Sequence, residues 1–371
     1  MIRPTIPDEA VILAGVEGIG VQSFKALIGR LGLAGLRQAP TSELIASGLR
    51  RPLAQALRTL LDDRARFELV RTAIAAELEP DGRLADAAAI GNWPGIGDLD
   101  DCPLFVALNA GLDNDFKASR RIAIVGTREP SSTGLFVARE LGRELASRGA
   151  LIVSGGANGI DSAAHAGAID ADGLTVAVLG AALSQERANR PEHIDWLWRR
   201  AAVLTEQIYP WPPRKWMYPR RNRIIAALAE IVIVVEGRQR SGALLTARAA
   251  QRLGRPLLAV PGRVDDSVAD CPNALLAERA YVCRHADDAW AALAALAQRP
   301  APAQQLELEQ TLTADELALL DLLRVAGGQA HVDEIAARLE RTPAAVAEIV
   351  LRLELARRVC RDAGQMVRLP R

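Results

Sequence analysis

Five short apolar runs most constrain this chain: RIAIVG (121–126), LIVSGG (151–156), TVAVLG (175–180), EIVIVVEG (230–237) and RPLLAVPG (255–262). Each ends in glycine, and stretches of helical spacing such as LFVARELGRELASRG lie between them. Runs this continuous are hydrophobic on both faces of a strand. They need helices packed on both sides, which is the α/β solution with a mostly parallel sheet. Ligands of such sheets gather outside the carboxyl ends of the strands, where these glycines fall.

On either side of the α/β core the rhythm changes. Residues 1–80 show apolar spacing near the helical period in VQSFKALIGRLG and LAQALRTLLDD, broken by Gly and Pro, with no competing strand pattern. GVEGIGVQSFKAL there fits a helix-hairpin-helix, with Leu13, Val16 and Ile19 around Gly18 and Gly20, or a plain αα-turn. The domain is read as SAM/helix-hairpin-helix-like, followed by a Rossmann-like region at 81–298. RPAPAQQLELEQ (299–310) has a linker's composition. Residues 311–371 predict three helices, the last capped by Thr342 with Pro343 at its first position. Two short strands flank Ala363-Gly364, which completes a winged helix. Its third helix carries Glu348 and no base in its first half, which favours protein contact or linkage over groove reading.

Basic and acidic residues balance at 45 each, so the chain is not a uniformly basic nucleic-acid glove. Position decides instead. From Gln207 to Arg255 ten bases meet only Glu230 and Glu236, a local excess of eight positive charges. Within it, WPPRKWMYPRRNR (211–223) interleaves Lys215, Arg220, Arg221 and Arg223 with Trp216 and Tyr218. Guanidinium groups beside aromatic faces suit single-stranded nucleic acid: phosphates take the charge and bases stack on the rings. The competing reading is a solvated loop whose aromatics cap the core.

Two glycine corners add to this pattern. Ser154-Gly155-Gly156, followed by Asn158-Gly159 and a helix, can turn backbone N–H groups toward an anion at a helix N-terminus. It can equally be a tight turn that needs glycine for positive φ. It lacks the spacing of a dinucleotide fingerprint and the Gly-Lys-Ser/Thr of a P-loop. Gly126-Thr127-Arg128 ends the preceding strand before a helix capped by Ser131 or Ser132, so both turns can open on one crevice. Ser241-Gly242 starts a further helix, as a third phosphate contact or simply an N-cap.

Catalytic and metal patterns are scarce. Ser154 is not in a nucleophile elbow, and His165 on a small-residue helix reads as a buried hydrogen-bonding side chain. Cys271, Cys283 and His285 lack zinc-finger spacing, so neither metal nor cofactor is expected. Glu236 is the one acid to watch as a general acid/base, with a strand-end ion pair the favoured role. The scattered cysteines predict a cytoplasmic protein, and no apolar run is long enough to span a membrane.

Taken in order, AIVGTR, VSGGANGIDSAAHAGA, TVAVLG, YPRRNRIIAAL, VVEG, RSGALLTA, AVPG and CPNALL resemble the DNA-processing protein A (DprA/Smf) family, strongly over about residues 120–285. The resemblance implies an extended Rossmann-like domain that binds single-stranded DNA as a homodimer. It also implies loading of the RecA recombinase during natural transformation, in competence and recombination, without catalysis. Carried over by position, it implies DNA contacts at Gly126, Thr127, Arg128, Ser154, Gly155, Gly156, Arg221, Asn222 and Arg223. The residue-level reading adds Asn158, Gly159, Lys215, Arg220, Ser241 and Gly242, with Trp216 and Tyr218 for stacking. Residues 181–198 depart from the family pattern. The alternative is an enzyme resembling phosphoribohydrolases, whose PGGxGTxxE would need more than the Pro261-Gly262-Arg263-Val264 found here.

Overall fold

A computed structural model of the chain describes residues 5–78, 82–86, 95–109, 120–298, 313–325, 329–355, 358–362 and 366–368. The chain divides into two compact units, Met1–Ala297 and Gln298–Arg371. The expected linker at 299–310 and the turn at Ala363-Gly364 lie outside the described residues.

The first unit begins with helices α1 (Asp8–Gly15), α2 (Val21–Gln38), α3 (Thr41–Ala46), α4 (Arg51–Asp62) and α5 (Arg64–Glu77). Their apolar stripes, including Phe24, Leu27, Leu57, Leu60 and Ile74, close on one another in a single core. Then come β1 (Gly82–Asp86), β2 (Phe105–Asn109), β3 (Arg120–Val125), α6 (Ser132–Ser147), β4 (Ala150–Ser154), α7 (Ile160–Asp170) and β5 (Thr175–Leu179). Next follow α8 (Leu183–Asn189), α9 (Pro191–Arg200), β6 (Ala202–Thr205), α10 (Met217–Leu228), β7 (Ile231–Val234) and α11 (Gly242–Arg252). The unit ends with β8 (Leu257–Ala259), α12 (Asp270–Ala277), β9 (Tyr281–Val282) and α13 (Ala286–Gln298).

The nine strands form one sheet in the order β1-β2-β6-β5-β4-β3-β7-β8-β9. From β6 to β9 every pair is parallel, as the glycine-ended runs predict. Alternation along each strand divides the core. Ile122 and Ile124 of β3 and Ile231 and Ile233 of β7 face α6 and α7. Ala123, Val125, Val232 and Val234 face the opposite layer, made by α10 and α11. The edge pairs β1 with β2 and β2 with β6 run antiparallel, a feature the sequence reading did not include. The stretch 181–198 that departs from the family pattern holds α8 and most of α9, two helices for which the sequence reading named no element.

Helices α6 and α7 cross closely because glycines sit at their contact. A Cβ at Gly142 would strike the carbonyl of Ala164, and one at Gly167 would strike the backbone of Arg139. From β3 the chain winds outward through α6 to β4, whereas β7 leads through α11 to β8 on the other side. The order therefore reverses between β3 and β7, and the strand-end crevice there is the switch point where α/β sheets bind ligands.

The second unit contains α14 (Ala314–Val325), β10 (Gln329–His331), α15 (Val332–Leu339), α16 (Pro343–Leu355), β11 (Cys360–Asp362) and β12 (Met366–Arg368). Thr342 accepts from the Ala345 N–H at 3.3 Å, which caps α16 as expected. β11 and β12 pair antiparallel, and β10 adds a third strand beside β12. Leu319, Leu323, Ile335, Val346, Val350 and Val367 form its buried core.

Candidate nucleic-acid interface

The corners after β3 and β4 interlock. The Ile160 N–H donates to the Thr127 carbonyl at 3.2 Å. Gly159 has φ of 89°, and a Cβ there would run into the Thr127 carbonyl and the Arg128 backbone, so glycine is required on both counts. Gly126 packs directly on the Ile160 side chain. Thr127, Arg128 and the start of α7 are thereby fixed as one piece.

The anion held by the second corner belongs to the chain itself. The Gly155 N–H donates to Asp161 Oδ2 at 3.1 Å, and the Ala157 N–H reaches the same oxygen at 3.4 Å. Burial pushes the Asp161 carboxyl above the usual carboxylate range, while the nearby Arg221 charge and these N–H groups pull it back. Ser154 is fully buried beneath, its hydroxyl donating to the Ile124 carbonyl at 2.6 Å. Gly156 holds φ of 60°, and its carbonyl accepts from Arg190 at 2.7 Å. The start of α6 is occupied in the same way. Glu236 accepts from the Ser131 N–H at 2.9 Å and the Ser131 hydroxyl at 2.6 Å, and Ser131 in turn caps Gly134 at 2.9 Å. Glu236 is therefore a helix-capping acid, not the arginine ion pair expected for it.

Arg221 is buried too. Its guanidinium donates to the carbonyls of Gly155 and Val178, and its Nε to Asn222 Oδ1 at 3.2 Å. Asn222 then donates to the Gly242 carbonyl at 3.1 Å, tying α10 to the start of α11. These two side chains brace the site from within. At α11 the situation reverses: Ser241 makes no side-chain cap and the first turn holds no acid, so its leading N–H groups carry positive potential without an internal carboxylate.

At this switch point lies a cavity of about 780 Å³. Gly126, Thr127 and Arg128 contribute from the β3 corner, Lys215, Tyr218, Arg221 and Asn222 from α10 and its approach, and Arg238, Arg240, Ser241 and Gly242 from the turn after β7. Arg128, Lys215, Arg238 and Arg240 are exposed and have no ion-pair partner among the described residues. Arg214 adds a cation held only by an exposed pair with Glu17 at 3.3 Å. Two acids share this wall, the exposed Glu129 and the buried Asp161. A second cavity of about 410 Å³ shares Arg128, Tyr218 and Arg221 and adds Gly155, Asn158, Glu186 and Arg190. Between the two, the Arg128 guanidinium lies over the Tyr218 ring, 5.5 Å from its centroid.

Not every expected contact comes here. Arg223 pairs with Asp101 at 2.7 Å and Glu206 at 2.8 Å, and Arg220 lies 3.7 Å from both acids. Neither lines either cavity, because α10 turns them toward the opposite side from Arg221. Trp216 is 52% exposed and outside both cavities, whereas Tyr218 borders both. Trp211 instead donates its indole N–H to the Ala14 carbonyl at 2.9 Å, anchoring the basic loop to α1. Arg238 and Arg240 were absent from the sequence-derived contacts. The available signal was a basic turn directly after a glycine-ended strand.

The family described as DNA recombination-mediator protein A matches residues 94–294, more than half of the chain. The chain belongs to that family. The DprA winged helix domain matches residues 297–365. The DNA processing protein DprA of Bacillus subtilis is 39% identical over 173 residues, 46% of this chain and 57% of that protein. The putative DNA processing protein DprA of Mycobacterium tuberculosis is 35% identical over 254 residues, 67% of this chain and 64% of that protein. The matches thus span about three fifths of these relatives. The X-ray structure of DprA from Streptococcus pneumoniae superposes with a TM-score of 0.62 at 27% identity, over 77% of this chain and 98% of that one. The family's description is that of a recombination mediator. No helix among the described residues is long and apolar enough to cross a membrane.

Proposed function

We propose that this protein binds single-stranded DNA in the larger cavity and, as a cytoplasmic homodimer, loads RecA onto it during recombination of incoming DNA in natural transformation. The observation that carries the reading is the convergence of Arg128, Lys215, Arg238 and Arg240 on one cavity at the switch point of the sheet. Because internal carboxylates fill the starts of α6 and α7, these side chains and the open start of α11 are left to hold phosphates. Gly126, Thr127, Ser241 and Gly242 shape the wall, with Tyr218 as the stacking ring. Ser154, Gly155, Gly156, Gly159, Arg221 and Asn222 support that wall.

The test is binding of a labelled single strand and of its duplex across a salt series. Single-strand affinity falls steeply, by about 0.7 logarithmic units per tenfold salt for each phosphate neutralised, and exceeds duplex affinity. A flat salt dependence, or a preference for duplex, overturns the proposal.

A further inference from the structure

Residues 206–216, between β6 and α10, form neither helix nor strand, yet they bring Arg214 and Lys215 to the larger cavity. Pro210, Pro212 and Pro213 remove three backbone donors from this stretch, so its own main chain does little to fix it. Side chains do so instead. Ile208 is buried in the core of α1–α5, Tyr209 packs against that core, and the Trp211 ring lies 5.0 Å from the Tyr209 ring. The Trp211 indole N–H donates to the Ala14 carbonyl at 2.9 Å, one of the last carbonyls of α1, which have no partner within the helix.

We propose that Trp211 is a positioning residue for phosphate contacts by Arg214 and Lys215, and that the helical domain acts on the cavity through it; this rests on the single-strand reading above. The step from the anchor to the cations is short and stiff. Pro212 and Pro213 each hold φ at about −65°, so the place of Trp211 on α1 is passed directly to Arg214. On the other side, the Met217 N–H donates to the Arg214 carbonyl at 3.0 Å, and Met217 is itself buried at the start of α10. The backbone of both cations is thus strung between two fixed ends. Their side chains stay exposed, and the pair of Arg214 with Glu17 at 3.3 Å is too open to hold the loop by itself. Fixing the backbone beforehand lowers the ordering cost that a loose basic loop meets when it closes on a phosphate. The α1–α2 hairpin, which the sequence offers as a DNA contact, therefore serves the cavity from behind by holding its basic wall.

The experiment is a double-mutant cycle on the full chain, read as the salt slope of single-strand binding by fluorescence anisotropy. Trp211→Phe keeps an aromatic ring and loses the indole N–H. It is expected to shallow the slope by about 0.7–1.4, one or two phosphate contacts at about 0.7 each. In a protein that already carries Arg214→Ala/Lys215→Ala the same change leaves the slope where it was, whereas in an Arg128→Ala protein it subtracts in full. Partial unfolding lowers the bound fraction in every background alike and does not produce this pattern. A slope that Trp211→Phe leaves unchanged, or shallows equally in the Arg214→Ala/Lys215→Ala protein, overturns this inference and leaves the single-strand reading standing. An unaltered chain that binds no single strand removes both. If Trp211→Phe does not fold, Tyr209→Leu removes the ring beside Trp211, keeps both cations and is read in the same cycle.

Discussion

At the scale of single residues, the sequence shows which chemistry is present but not where each charge is spent. Arg221 illustrates this. It stands in a run of bases, yet the structure buries it under the glycine corner beside Asp161. Arg221→Ala leaves a buried carboxylate uncompensated and is expected to cost about 3–5 kcal/mol in urea unfolding, so lost binding in that variant reflects lost structure. Glu129 acts in the opposite sense. Its charge faces the cationic cavity, and Glu129→Gln is expected to tighten single-strand binding severalfold at low salt. His165 gives a pH dependence. Burial first, then the charges of His193 and Arg221, lower its pKa to about 3, and its Nδ1 meets the Thr175 hydroxyl at 2.6 Å. A histidine held neutral contributes stability that is complete above its unfolded pKa and is lost as pH falls below about 6.5 toward the folded value. Between pH 7 and pH 5 this group removes about 2 kcal/mol, and in His165→Gln that part of the loss disappears from the urea midpoints.

At the scale of elements, most of the architecture was legible because hydrophobic period and glycine placement are local signals. The parallel strands, the helices between them and the cap of α16 all followed from such signals. The edge strands β1 and β2 did not, since a five-residue strand such as FVALN carries no punctuation and is decided by what it pairs with. The site was legible in part for the same reason. Both corners were visible, but a glycine turn reads alike whether a ligand phosphate or the chain's own Asp161 or Glu236 fills it. Helical phase separates Arg221 from Arg220 and Arg223, and phase depends on where α10 begins. The crossing of α6 and α7 provides an element-scale test. Gly167→Ala places a methyl against the Arg139 backbone and is expected to lower stability by about 1–3 kcal/mol, read from the urea midpoint.

At the scale of the whole molecule, a chain with no net charge gathers Arg128, Lys215, Arg238 and Arg240 around one crevice at one end of one sheet. On the proposed function, attraction of a polynucleotide is a property of that crevice, and it depends on salt through the cations that face it. The most direct measurement compares salt slopes for a single strand between the double variant Arg128→Ala/Arg240→Ala and Arg220→Ala. The account predicts that the double variant shallows the slope by about 1.4, two phosphate contacts at about 0.7 each, while Arg220→Ala leaves it unchanged. An unchanged slope in the double variant, with a loss in Arg220→Ala, would place the phosphates on the Asp101–Glu206 side of α10 and contradict the account.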